Sequence, residues 1–168
     1  TAQLIPSDFV IIGGSGDLSV RKIIPALFWR FLDNQINNKY RIIICVRSKI
    51  NIDELKSKFI PHCKEAINNN LKNKKNWNSF LNLLTIVNLD VVTGQGSKEL
   101  SSILKNKIDI TRPIIFYLAI SSSLFGKACD LINKEELNLT QSRLVVEKPI
   151  GHDKSSAIEI NNQFAKYF

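Results

Sequence analysis

Three glycines fall within four residues in the segment Phe9-Val10-Ile11-Ile12-Gly13-Gly14-Ser15-Gly16-Asp17-Leu18. A short apolar run ends at the first of them, and a helical pattern follows from about Leu18 to Leu32. Strand, glycine turn and helix in that order present backbone N–H groups and a helix N-terminus to a phosphate. Glycine suits such a turn because the backbone takes angles that other residues resist. A Cβ there would also hold the chain away from a pyrophosphate. The strict Gly-x-Gly-x-x-Gly pattern is not met, since counting from Gly14 gives Gly14, Gly16 and Ser19. A dinucleotide-binding loop and an ordinary tight strand-to-helix connection both use these residue types.

Several cations stand where such a ligand would lie. Arg47 closes the second strand-like run, with Ser48 beside it. An acidic residue at that place binds two ribose hydroxyls, whereas an arginine pairs bidentately with a 2′-phosphate and favours NADP. A plain surface arginine at a strand end is the other reading. Lys148 sits in Glu147-Lys148-Pro149-Ile150-Gly151, a compact cation on a proline-anchored turn, suited to a sugar hydroxyl or a phosphate. The bond before Pro149 is open to the cis form. In isolation this reads equally as a strand-ending turn. Lys22 and Arg21 lie near the start of the first helix, where cations are mildly disfavoured by about 0.3–1 kcal/mol. Their presence suggests a nearby anion or a solvated face. His62 and His152 lack a carboxylate at a spacing that would argue for general-base work. No Tyr-x-x-x-Lys pair occurs, which disfavours short-chain dehydrogenase chemistry.

The elements that must position these residues alternate. Strand-type runs at Phe9–Ile12, Ile42–Val46, Thr85–Leu89, Ile114–Leu118 and Arg143–Val146 are rich in β-branched residues and apolar on both faces. Helical stretches are expected near Lys22–Leu32, Ile52–Asn70, Asn76–Leu84, Lys98–Lys107 and Leu124–Leu137, with a last helix from about Lys154 capped by Asp153. The expectation is an α/β fold of the Rossmann type, a doubly wound, mainly parallel sheet with helices on both faces. Ligands in such sheets sit at the carboxyl ends of the strands. Those ends carry the glycine loop, Arg47-Ser48, Asp90, Ala119 through Ser123, and Glu147-Lys148-Pro149.

With 168 residues, 44% of them hydrophobic and 23% charged, residues 1–168 fit one domain. No apolar run is long enough to span a bilayer and no signal pattern opens the chain, so a cytoplasmic location is expected. Cys45, Cys63 and Cys129 are odd in number and form no metal-ligand pair, so no metal is expected. Lys plus Arg exceed Asp plus Glu by 8. The lysines are interleaved with acids, as in Lys134-Glu135-Glu136, and do not alternate with aromatics. A solvated exterior is therefore favoured over a nucleic-acid surface. The chain has no methionine and begins at Thr1, so a trimmed N-terminus is expected.

Taken together, these motifs resemble the coenzyme-binding domain of the glucose-6-phosphate dehydrogenase family, in its bacterial form. Gly13 through Lys22 is similar to the family's Gly-Ala-Ser-Gly-Asp-Leu-Ala-x-x-Lys loop, continued by Ile23-Ile24-Pro25-Ala26-Leu27. Asn88-Leu89-Asp90-Val91, Tyr117-Leu118-Ala119 and Val145 through Gly151 fall in the family's order. The resemblance implies NADP as cofactor. It implies that Gly13, Gly14, Ser15, Gly16, Asp17, Leu18, Ser19 and Val20 line the coenzyme phosphates. Arg47 would hold the 2′-phosphate, and Asp90 and Val91 would border the adenine. Lys148 would touch coenzyme and sugar phosphate, with Lys22 close to it. The implied activity of the whole enzyme is oxidation of D-glucose 6-phosphate to 6-phospho-D-glucono-1,5-lactone, the first step of the oxidative pentose phosphate pathway. The full-length family is homo-oligomeric, while the fragment is expected to be a monomer.

Three departures carry expectations of their own. Ile44-Cys45-Val46 stands where the family usually has a small residue, which would crowd the adenosine. Ser121-Ser122 replaces the family's Pro-Pro, which would loosen the loop beneath the nicotinamide. The family's substrate motif and catalytic base fall beyond Phe168, so no catalytic residue is expected in the chain. It should bind NADP yet not oxidise sugar phosphate. A sugar oxidoreductase of the Gfo/Idh/MocA type shares Glu-Lys-Pro but usually lacks Gly-Asp-Leu followed by lysine. A basic, non-catalytic nucleic-acid module is the other alternative.

Overall fold

The computed structural model describes residues 5–68, 71–106 and 112–168, with the backbone alone at 71 and 72. Five strands form one sheet: β1 (Asp8–Ile12), β2 (Arg41–Val46), β3 (Leu84–Asn88), β4 (Ile114–Leu118) and β5 (Arg143–Val146). All pairs are parallel and the order is β3-β2-β1-β4-β5. The helices are α1 (Ile24–Leu32), α2 (Ile52–Asn68), α3 (Leu71–Leu81), α4 (Ser97–Lys105), α5 (Phe125–Lys134) and α6 (Lys154–Tyr167). The expected doubly wound architecture is therefore present. The strands keep their predicted places within a residue or so. The predicted helix ends at Asn70 and Lys107 lie outside the described residues.

Alternation along the strands builds a core on each face of the sheet. Ile11, Ile42 and Ile44 pack with Phe28, Phe59 and Phe80 from α1, α2 and α3. Val10, Ile43 and Phe116 pack on the other face with Leu100, Ala128 and Ile132 from α4 and α5. The central strand β1 is buried on both sides, whereas β3 and β5, at the edges, are only partly covered.

Local chemistry sets the helix starts. The Asn51 side chain accepts from the Glu54 N–H at 2.9 Å, and Glu54 accepts from the Asn51 N–H at 3.2 Å. That reciprocal box opens α2. Asp153 and Ser156 make the same exchange ahead of α6, which bears out Asp153 as its cap. The first helix departs from the expected single α-helix. Ser19–Ile23 form a π-helical turn, with the Ile24 N–H reaching the Ser19 carbonyl. Pro25 follows at once. It has no N–H to give and its ring would press on the carbonyl four residues back, so the backbone widens just before it.

The register aligns the carboxyl ends. Val87, Cys45, Ile12, Leu118 and Val146 lie side by side in one row across the five strands. Everything the chain does immediately after this row occurs along one edge of the sheet.

Candidate coenzyme site

The glycine turn leaves β1 at the middle of that row. Gly13 and Gly14 donate their N–H groups to one acceptor, the Cys45 carbonyl, at 3.1 and 2.9 Å. Gly13 has φ +88°, and a Cβ on it would stand 2.4 Å from the Ala119 carbonyl oxygen. A Cβ on Gly14 would stand 2.1 Å from the Ile44 Cγ2. The first two glycines are thus demanded by protein packing. The expectation that their missing Cβ atoms make room for a pyrophosphate is corrected at these positions, because the space is taken by β2 and by the segment after β4.

The rest of the turn has the character that an anion needs. The Gly16 N–H returns to the Gly13 carbonyl at 3.1 Å, and the Val20 N–H to the Gly16 carbonyl at 3.0 Å. Among the described residues, the N–H groups of Ser15, Asp17 and Leu18 have no acceptor. These donors stand where the chain enters the helix, so they suit a phosphate. Ser19 and Val20 are buried beneath the turn. The Ser19 Oγ has no hydrogen-bond partner among the described residues. Arg21 meets Asp17 at 3.5 Å on the surface, and Lys22 is exposed.

On the β2–β3 side, Arg47 projects into solvent with its Nε 3.8 Å from Asp90 Oδ2. Asp90 is held in turn by its own loop, its Oδ1 accepting from the Val92 and Thr93 N–H groups at 2.8 and 3.3 Å. The Asn88 amide donates to the Val46 and Arg47 carbonyls at 3.1 and 3.0 Å, tying the two strand ends together. Val91 packs partly against the core and Val92 stands exposed. Ile44, Cys45 and Val46 are buried within β2. The expected crowding of an adenosine is therefore corrected. Ile43 and Cys45 turn to one core and Ile44 and Val46 to the other, with Ile44 against Gly14.

On the β4–β5 side, Lys148 is exposed and the Lys148–Pro149 bond is cis. After β4 the chain bonds to itself through Ser121. Ser121 and Ser123 hydroxyls lie 3.0 Å apart, and the Leu124 N–H reaches the Ser121 carbonyl at 2.9 Å. The carboxyl ends of β2 and β5 are three strand spacings apart, about 14 Å, with the glycine turn between them. The order β3-β2-β1-β4-β5 reverses direction at β1, the place where open α/β sheets take their ligands.

Nucleophilic sulfur chemistry has no place here. Burial pushes the Cys63 thiol to about 12 and Cys129 to about 11, and drives Cys45 further up with help from the Glu99 charge. Among the described residues there is no cluster of His, Cys, Asp and Glu that could hold a metal ion. None of the described helices is long and apolar enough to cross a membrane.

The profile of the family described as glucose-6-phosphate dehydrogenase, NAD binding domain, matches residues 10–168. The chain belongs to the glucose-6-phosphate dehydrogenase family. A glucose-6-phosphate 1-dehydrogenase of Rhizobium meliloti is 35% identical over 171 residues, covering 100% of this chain and 34% of the relative. The counterpart from Buchnera aphidicola subsp. Schizaphis graminum is also 35% identical, covering 96% of this chain and 32% of its own length. A solved glucose-6-phosphate dehydrogenase in complex with glucose 6-phosphate superimposes with a TM-score of 0.84 at 30% identity, over 100% of this chain and 36% of that one. The chain spans about a third of the length of these relatives. The match supports a nicotinamide-dinucleotide-binding domain and favours neither the Gfo/Idh/MocA nor the nucleic-acid alternative.

Within that family frame, two features went unread in the sequence. The Cys45 carbonyl that grips the turn is a backbone atom and leaves no side-chain signal. Lys58 and His62 of α2 line a cleft beside Ser15, Gly16 and Asp17. Their four-residue spacing was the signal available for pairing them.

Proposed function

We propose that this chain is the coenzyme-binding part of an enzyme that oxidises D-glucose 6-phosphate at C1, with NADP as hydride acceptor and 6-phospho-D-glucono-1,5-lactone as product. The observation that carries the proposal is the single row of strand ends. It sets a cation near β2, a turn with free amide donors after β1 and a cation after β5 along one edge of the sheet. A dinucleotide has the same sequence of parts: adenosine, phosphates, nicotinamide.

In this reading the residues divide the work. Gly13 through Val20 form the phosphate turn, with the Ser15, Asp17 and Leu18 amides as donors. Arg47 holds the 2′-phosphate, and its weak hold on Asp90 at 3.8 Å leaves the guanidinium free to turn to a doubly charged group. Asp90 and Val91 border the adenine. Lys148 and Lys22 supply positive charge to the sugar phosphate end. The nicotinamide, when bound, takes the hydride that leaves C1. The whole enzyme completes the site with a base for the C1 hydroxyl proton. His62 and His152 are both exposed, and neither is paired with a carboxylate among the described residues.

The test is NADP reduction followed by absorbance with glucose 6-phosphate as the sugar, in an enzyme carrying this chain. Arg47→Ala should weaken NADP by roughly tenfold or more, since hydrogen bonds to charged groups contribute about 1.5–3 kcal/mol, and should affect NAD far less. Equal losses for both coenzymes would remove the 2′-phosphate role. Absence of turnover in the unaltered enzyme would remove the reaction.

A further inference from the structure

A cleft of about 500 Å³ opens beside the glycine turn. Ser15, Gly16, Asp17 and Arg21 form one wall, and Lys58 and His62 of α2 form the other. Lys58 and His62 are four residues apart, so they stand one above the other on one face of the helix. Both are exposed, and neither joins an ion pair among the described residues. The acids nearest on α2 are otherwise engaged. Asp53 meets Lys56 at 3.7 Å, and Glu54 accepts from the Asn51 N–H. Glu65, one turn beyond His62, forms no ion pair with either residue. Arg21 has one carboxylate, Asp17, at 3.5 Å and well exposed. Among the described residues the cleft therefore carries Arg21 and Lys58 against Asp17, beside a turn whose Ser15 and Asp17 amides have no acceptor there.

We infer that this cleft is an additional phosphate contact of the dinucleotide site, with Lys58 as its cation and the His62 imidazole as its polar neighbour. It rests on the dinucleotide reading above and extends the site from the strand ends onto α2. A lysine suits the task because its ammonium acts as a point charge on a long stem and needs no fixed geometry. Because the ammonium is exposed, its attraction for a phosphate seated at the turn is screened by salt, with a Debye length of about 8–10 Å at physiological ionic strength.

Calorimetric titration of this chain with NADP and with NAD, each at low and at high ionic strength, tests the idea. Lys58→Glu should weaken binding roughly fivefold at low salt and Lys58→Gln about twofold, as befits an exposed charge. Both losses should shrink at high salt, and Lys58→Arg should bind like the unaltered chain. The unfolding midpoint should not move, because Lys58 has no ionic partner among the described residues. Equal loss for the two coenzymes assigns the contact to the pyrophosphate, and loss for NADP alone assigns it to the 2′-phosphate. Either result supports the inference. Unchanged affinities in Lys58→Glu, or a loss that salt does not alter, overturn it while leaving the dinucleotide reading intact. Failure of the unaltered chain to bind either coenzyme would overturn that reading itself.

Discussion

Asp8 and Arg41, the first residues of β1 and β2, face each other in register and form a two-pronged ion pair, Nε–Oδ1 2.8 Å and Nη2–Oδ2 2.6 Å. Asp8 is fully buried, and Arg112, just ahead of β4, adds a third contact to Oδ1 at 2.7 Å. Arg41 also donates to the Ile103 carbonyl at 2.8 Å and the Asn106 carbonyl at 3.2 Å, near the end of α4. One carboxylate thus ties three neighbouring chain segments together at the amino edge of the sheet, opposite the edge that carries the glycine turn.

Removing that carboxylate takes away the one buried charge that Arg41 and Arg112 share. Breaking a buried pair typically costs about 3–5 kcal/mol, and the partial exposure of both arginines lowers the expectation for Asp8→Ala to about 2–4 kcal/mol. Urea unfolding measures the loss. Coenzyme affinity of the folded fraction should stay the same, because the cluster lies at the opposite end of the strands.

Gly14→Ala places a methyl group 2.1 Å from the Ile44 Cγ2. Overpacking of this kind costs about 1–3 kcal/mol and should displace the turn, so stability and dinucleotide binding fall together. Ile44→Ala in the same chain vacates the space and should restore part of the binding. A double variant no better than Gly14→Ala would mean that the methyl group offends something other than Ile44.

Ser19→Ala should raise stability. The hydroxyl is buried and unpartnered among the described residues, a state that costs about 1–3 kcal/mol, and alanine fills nearly the same buried volume without it. Thermal unfolding is the measurement, and a lower midpoint would show that the hydroxyl has a partner in solution.

Acid should weaken the joint between α4 and α5. The Lys98 ammonium at 3.0 Å, assisted by the Ser97 hydroxyl at 2.9 Å, holds the Glu135 carboxyl below its usual range. A carboxylate with a lowered folded value contributes stability above its unfolded value near 4.3, and loses it as pH falls through the folded value. Glu135→Gln should therefore flatten the acid side of the stability profile below about pH 4.5 while costing stability at neutral pH. Equal pH slopes for both proteins would show that Glu135 titrates normally.

Much of this was legible in the residues. The five strands announce themselves as β-branched runs, most plainly in β1 and β2, where a strand covered on both faces needs apolar side chains nearly throughout. Gly13 through Gly16 mark the turn, and Asp153 marks the start of α6. What the residues do not carry is tertiary cause. The tightness at Gly14 comes from Ile44, thirty positions away, and appears only when β1 and β2 are paired. The boundary between α2 and α3 falls in a run of asparagine and lysine with little apolar periodicity to divide it. The π-helical turn depends on Pro25 acting backwards on the carbonyls before it. Lys58 and His62 look like ordinary surface polarity until α2 lies alongside the glycine turn.

The two glycine amides that share the Cys45 carbonyl bind the loop into the cooperative unit of the sheet. Loosening the start of the loop means breaking two hydrogen bonds to β2, at 3.1 and 2.9 Å. Its shape is written in the backbone of a neighbouring strand. The side chain at position 45 is therefore free to drift in evolution so long as it fills its core, whereas a shift of one residue in the β1–β2 pairing would dismantle the glycine turn outright.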